Sequence, residues 1–170
     1  LALFRVEQDN LAVADGGLLQ PNGFQAYKAE SGTTSEGVEL EVNGEISEGW
    51  QVTGGYSYNV SFNSDDKRIV TEIPRNSVKL FTSYRLPGEL DKVTVGGGVN
   101  WQSETGYALS YATTQSSYAI ANLMARYQIT PSLSATVNVN NLFDKEYLTT
   151  TAAGLYGAPR NFMTTLRYAY

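Results

Sequence analysis

Three carboxylates stand at alternate positions, Glu39, Glu41 and Glu45, with Asn43 between them. In an extended chain they project from one side, where oxygen ligands could hold a hard cation. Paired carboxylates also do glycosidase chemistry, but nothing in the sequence places these in a substrate cleft. Gly96-Gly97-Gly98 offers backbone that could approach a phosphate. No Gly-Lys-Ser/Thr follows it, so a phosphate loop is not indicated, and a strand that curves or packs closely is. The chain has no histidine and no cysteine, which removes His-based triads, His-ligated zinc, thiolate metal sites and disulfides. The run from Ser64 to Arg68 reads as a solvated loop tip, and the Asn59-Val60-Ser61 triplet falls inside a strand. Tyrosine is unusually frequent, at 12 residues, and it supplies a flat apolar face with one hydroxyl.

The elements that position these residues are strands. Along 50–62, Trp50, Val52, Tyr56, Tyr58, Val60 and Phe62 alternate with Gln51, Thr53, Ser57, Asn59 and Ser61. Such a period of two means two faces in different solvents. The pattern recurs at 38–46, 78–86, 93–101, 133–139 and 161–170, less cleanly at 117–128, and partially at 1–8. That makes about eight strands, most near the ~9–11 residues that cross a bilayer when tilted. Segment 24–37 is expected to prolong the strand at 38–46.

The connections alternate in length. Those at 47–49, 87–91 and 130–131 are short, and those at 9–23, 63–75, 103–116 and 142–160 are long. Outer-membrane barrels have short periplasmic turns and long extracellular loops. Trp50, Tyr168 and Tyr170 then fall at the periplasmic rim, and Trp101 and Phe62 near the outer one, as an interfacial aromatic belt requires. Mean hydropathy is −0.27, and no apolar run reaches the ~18 residues of a membrane helix. Barrel strands average out to such mild values. A soluble β-sandwich also alternates; strand length, loop asymmetry and the aromatic belt favour an all-β, antiparallel transmembrane barrel. The net charge of −5 argues against a nucleic-acid partner.

The last thirty residues are the most specific. A strand ends in Asn141-Leu142-Phe143-Asp144-Lys145-Glu146-Tyr147; a loop follows; then come Gly157-Ala158-Pro159-Arg160 and a strand ending in Tyr170. This resembles the C-terminal signature of TonB-dependent receptors. Phe4 to Asn10, Ser35 to Glu41, Gly44-Glu45 before Gly49-Trp50, and Pro74-Arg75-Asn76 resemble the ferric-siderophore branch. The family usually closes on Phe, and Tyr170 keeps the terminal aromatic that the barrel-insertion machinery reads.

The resemblance implies a 22-stranded barrel with a plugged lumen, of which 1–170 would be the C-terminal part, without the plug domain and the TonB-binding segment. It implies binding of a ferric siderophore outside the cell and import energised through TonB, in the bacterial outer membrane, among lipid and lipopolysaccharide. It implies no enzymatic step and no cofactor, because iron comes as a chelate. Expected ligand contacts are Trp101, Gln102, Tyr107, Tyr111 and Tyr156, at the rim and in the extracellular loops. Tyr147 and Arg160 are expected to serve the closing structure. The three glutamates become lumen carboxylates paired with basic groups of neighbouring strands or the plug. Other cargo, such as cobalamin or an oligosaccharide, and a non-transporting adhesin barrel remain the alternatives. The chain reads as a fragment, and its two cut edges would make it a poor folder alone.

Overall fold

The computed structural model describes residues 1–30, 32–69, 71–106, 114–151 and 153–170, the side chains at 11, 13 and 30 aside. No α-helix occurs among them. The strands are β1 Ala2–Gln8, β2 Leu11–Leu19, β3 Gln25–Glu30, β4 Thr33–Ser47, β5 Trp50–Phe62, β6 Arg68–Ile69, β7 Asn76–Arg85 and β8 Val93–Gln102. They continue with β9 Thr105–Gly106, β10 Thr114–Gln115, β11 Tyr118–Thr130, β12 Leu133–Asn140, β13 Leu148–Thr150, β14 Leu155–Tyr156 and β15 Asn161–Tyr168. One antiparallel sheet carries the fold in the order β1-β4-β5-β7-β8-β11-β12-β15, with the short β6 beside β5. The sheet does not close: β1 and β15 each have one neighbour.

The alternation seen along single strands becomes two continuous faces once register is added. One row joins Leu40, Tyr56, Val78, Trp101 and Ala119, and another joins Trp50, Tyr84, Val95, Ala125 and Val137. The opposite face carries Glu41, Gly55, Lys79, Asn100 and Ile120, then Arg126, Thr136 and Thr165. Cross-strand neighbours must share a face because the side-chain period is two, so a one-residue slip in any pair would mix the two sets.

Neither face builds a core. Among the described residues only Val60 and Ile120 are buried hydrophobics, while Leu40, Leu80, Val99, Leu123, Leu166 and Phe162 stay exposed. A water-soluble chain of this length would hide these side chains. An apolar sheet face left exposed in this way is what the outside of an outer-membrane barrel wall presents.

The three glycines of β8 have a packing explanation. Gly96 and Gly98 lie on the polar face, and a Cβ on either would meet the Phe81 ring of β7 at 3.2 and 3.0 Å. The ring of Phe81 thus covers glycine backbone on the neighbouring strand, which accounts for a phenylalanine on the polar side.

Two sequence expectations change. Residues 33–37 do prolong the strand at 38–46, but 25–30 do not; they pair with 11–19 in a separate hairpin, with Ala12 opposite Ala29 and Ala14 opposite Tyr27. The turn at 20–24 explains why, since Asn22 Oδ1 accepts the Phe24 N–H at 3.1 Å and Gly23 adopts φ +82°. The connection at 142–160 likewise contains its own small hairpin, β13–β14.

Candidate functional site

The long connections all leave the same end of the sheet, and there the signature residues form a polar knot. β12 ends at Asn140, and Asn141 turns into the left-handed region at φ +51°, which Asn tolerates better than most residues. Asn141 is 3% exposed. Its Nδ2 donates to the carbonyls of Lys145 at 2.9 Å and Ala158 at 3.1 Å, and its Oδ1 accepts the Lys145 N–H at 2.8 Å. Its own N–H donates to Asn122 Oδ1 on β11 at 3.0 Å, and Leu142 N–H donates to the Ala121 carbonyl at 2.8 Å. One side chain therefore holds both ends of the connection from β12 to β15, and the neighbouring strand holds the turn.

The rest of the signature extends this clamp. Asp144, at φ +53°, accepts the Arg160 N–H at 2.7 Å, and the Arg160 guanidinium reaches the Leu142 carbonyl at 3.4 Å. Gly157 donates its N–H to the Tyr147 carbonyl at 2.8 Å, and its Cα lies flat against the Tyr147 ring. The ring of Tyr147 in turn packs on that of Tyr118, with centroids 4.7 Å apart. Phe143 is exposed, and Pro159 presents its carbonyl to Asn161 Nδ2 at 2.9 Å. Tyr170 is fully exposed just past β15, after the Ala169 N–H has bonded to the Ser132 carbonyl. Tyr147 and Arg160 thus both make contacts within the connection between β12 and β15. Substituting Gly157→Ala should cost about 1–3 kcal/mol, because a methyl group has no room beside the Tyr147 ring. Thermal unfolding of the complete protein measures it, and Gly157→Ala with Tyr147→Leu should recover part of the loss.

The loops are laced to one another. Glu72 accepts from the hydroxyls of Thr150 at 2.6 Å and Thr151 at 3.1 Å, joining the connection after β6 to β13 and its turn. Gln115 Oε1 accepts the Leu148 N–H at 2.7 Å, and Ser103 exchanges bonds with Asn76. Sequence reasoning passed over Asn122, Glu72 and Tyr118. Asn122 read as one more polar residue of an alternating strand, Tyr118 begins that same strand where its alternation is least clean, and Glu72 sits in a connection without a periodic signal.

Below the knot, the polar face holds a hollow of about 290 Å³ lined by Lys79, Asn100, Gln102, Tyr118, Asn140 and Asn161 among others. A wider one of about 610 Å³ lies by Glu39, Glu41, Lys79 and Phe81. Gln102 faces the first hollow, opposite Ser77 and Tyr118. Tyr156 is 73% exposed on β14, where Asp144, Glu146 and Pro159 lie nearby. Trp101 lies at the edge of both sides: its register sets it opposite Val78 and Ala119 on the apolar face, and it is also among the residues that line the first hollow beside Gln102. Tyr107 and Tyr111 lie outside the described residues.

The glutamates divide. Glu45 Oε1 accepts the Gly49 N–H at 2.7 Å and so closes the β4–β5 turn, a local role that the lumen-pair reading did not include. Glu39 and Glu41 face the polar side. The ion pairs found among the described residues are Arg5–Glu7 and Lys28–Asp15, so the expected pairing of Glu39 and Glu41 with basic groups of neighbouring strands is not formed here. No group of three acidic, His or Cys side chains among the described residues is arranged to hold a metal. The arrangement offers hydrogen bonds, aromatic faces and a wide polar wall, which is equipment for binding.

The comparisons with known proteins agree with this architecture. The family model "TonB dependent receptor-like, beta-barrel" matches residues 1–142. The ferric-pyoverdine BN7/BN8 receptor of Pseudomonas putida is 54% identical over the whole chain, which spans 20% of that receptor. The ferripyoverdine receptor of Pseudomonas aeruginosa is 38% identical over the whole chain, which spans 22% of it. The solved structure of the ferripyoverdine receptor of the outer membrane of Pseudomonas aeruginosa, bound to ferripyoverdine, superposes with a TM-score of 0.81 at 37% identity, covering 98% of this chain and 24% of that one. The chain therefore spans about a fifth of the length of these curated relatives.

Proposed function

The chain belongs to the TonB-dependent receptor β-barrel family of the outer membrane, and from that premise we propose that the complete protein imports a ferric siderophore of the pyoverdine class. The observation that carries the cargo is the 54% identity to a ferric-pyoverdine receptor along the full length of the chain, extracellular connections included. Two further relatives named for the same ferric chelates, at 43% and 38% identity, support it.

Residues 1–170 would form the last eight long strands of a 22-stranded barrel whose lumen is filled by an N-terminal plug. The open edges of β1 and β15 would pair with the remaining strands. The chelate binds at the extracellular mouth, where Gln102 at the rim and Tyr156 on β14 offer contacts, with Tyr107 and Tyr111 in the connection between them. Tyrosine suits a bulky chelate because it gives area and a hydroxyl at low entropic cost. The polar face then lines the passage. TonB acts through the N-terminal region and supplies the energy. Iron stays chelated throughout, so the protein needs no ligand of its own and performs no covalent step.

The test is transport. The complete gene goes into a strain lacking its own pyoverdine-type receptors, and uptake of radioactive iron is followed with a panel of purified ferric pyoverdines. Uptake of at least one ferric pyoverdine, abolished without TonB and leaving the siderophore chemically unchanged, is the expected result. Uptake of cobalamin or an oligosaccharide in place of every ferric chelate would overturn the cargo.

A further inference from the structure

The apolar face is not uniform. Near the end with the short connections, where Ser47 leads to Trp50 and Arg85 to Val93, it is interrupted by a groove of about 700 Å³. The row Gly44, Val52, Thr82, Gly97 and Leu123 crosses this region. Thr82 and Gly97 form the groove floor, with Trp50 and Tyr84 on one side and Val95 and Leu123 closing it. Trp50 and Tyr84 stand edge to face at 6.4 Å between centroids.

Two polar groups of the groove are paired within the wall. Trp50 Nε1 donates to Thr82 Oγ1 at 2.8 Å, and that hydroxyl donates to the Gln51 carbonyl at 3.0 Å. The indole and the threonine at the floor therefore turn carbon, not a free donor, toward the groove. The bond also holds the indole over Thr82, so the groove wall is fixed.

We propose that this groove seats one acyl chain of a zwitterionic phospholipid from the periplasmic leaflet. The groove is continuous with the lipid-facing surface, so its occupant is lipid. Short connections mark the periplasmic end, where the leaflet is phospholipid and not lipopolysaccharide. The two turns beside the groove carry charges of both signs, Lys92 with Glu48, Glu89 and Asp91. They can meet a phosphate and an ammonium together, which an anionic headgroup alone would not match. Lipid-to-groove transfer gains no hydrophobic energy, so packing and headgroup contacts supply the preference. The inference rests on the membrane orientation given above and is independent of the cargo.

The complete receptor, extracted from outer membranes in mild detergent, is examined by native mass spectrometry. One retained phosphatidylethanolamine is expected. Gly97→Leu fills the floor; its Cβ would meet a flexible Leu123 methyl at 3.1 Å, which can turn aside, and the Asn122 carbonyl at 3.3 Å, which requires a shift of a few tenths of an ångström. It should cut the retained fraction roughly tenfold, the equivalent of about ten lost atom contacts. Tyr84→Ala, which removes one side of the groove, should act in the same direction. Gly44→Leu lies in the same row with open space around it and should change nothing. A gel shift on heating reports that each variant still folds, and uptake of the ferric chelate is read separately. Equal retention in the wild type and both groove variants, or retention of lipopolysaccharide or detergent alone, would overturn the proposal.

Discussion

Replacing Asn141 by alanine should open the extracellular closing structure while the sheet below stays paired. The side chain makes three of its hydrogen bonds to backbone groups at 145 and 158 while 3% exposed. Each partner left unsatisfied costs about 1–3 kcal/mol, and alanine at φ +51° adds roughly another 1 kcal/mol. Summed over the three partners and the turn, the expected loss is at least about 4 kcal/mol, confined to the segment between β12 and β15. Limited proteolysis of the complete receptor reads this directly, as new cleavage between residues 142 and 160. Asn141→Gly keeps the turn conformation without the bonds, so it should be cleaved more slowly than Asn141→Ala and faster than wild type. Asn141→Asp restores one acceptor but turns an oxygen toward two carbonyls, so it should not rescue. If Asn141→Ala is cleaved no faster than wild type, the clamp is not what holds the loop. Because β15 is the edge strand that would pair with the rest of the barrel, the same variant should lower assembly yield in the membrane.

Charge placed on the two sides of the wall at one depth should have unequal costs. Leu80 lies mid-strand on the apolar face, and Thr53 lies on the polar face one row away on β5. Leu80→Arg puts a guanidinium against lipid hydrocarbon, at about 2–4 kcal/mol near the bilayer midplane. Thr53→Arg puts the same group on the watery side, within a wall that already carries Lys79, Glu41 and Glu39. Its cost should stay below about 1 kcal/mol, chiefly the lost bond to Asn43 Oδ1. Denaturant titration of the full receptor refolded into vesicles compares the two. Equal tolerance of both arginines would mean that the faces are assigned wrongly, and with them the orientation of every strand.

The amino-acid order by itself determined the faces and most of the strands. Alternation such as Trp50-Gln51-Val52-Thr53 is a local property, because β geometry sends neighbours to opposite sides whatever the rest of the chain does. Loop asymmetry gave the orientation for the same reason, and the ordered motifs from Asn141 to Arg160 gave the family. The hairpin of β2 and β3 escaped notice because its alternation is broken by Gly16-Gly17 and it pairs beyond the main sheet.

Only the tertiary structure decided what the signature residues do. Nothing in the spacing of Asn141, Lys145 and Ala158 says that one amide bridges them, since that requires the chain to return after seventeen residues. Trp101 shows the same limit from another side: only register sets it opposite Val78 and Ala119, and only the fold brings it to the edge of the hollow beside Gln102. Glu45 looked like a lumen charge until the turn brought the Gly49 N–H within 2.7 Å. Period-two patterning assigns a residue to a side of the wall, but which strands meet, and at what offset, is set by pairing energy summed over the whole sheet.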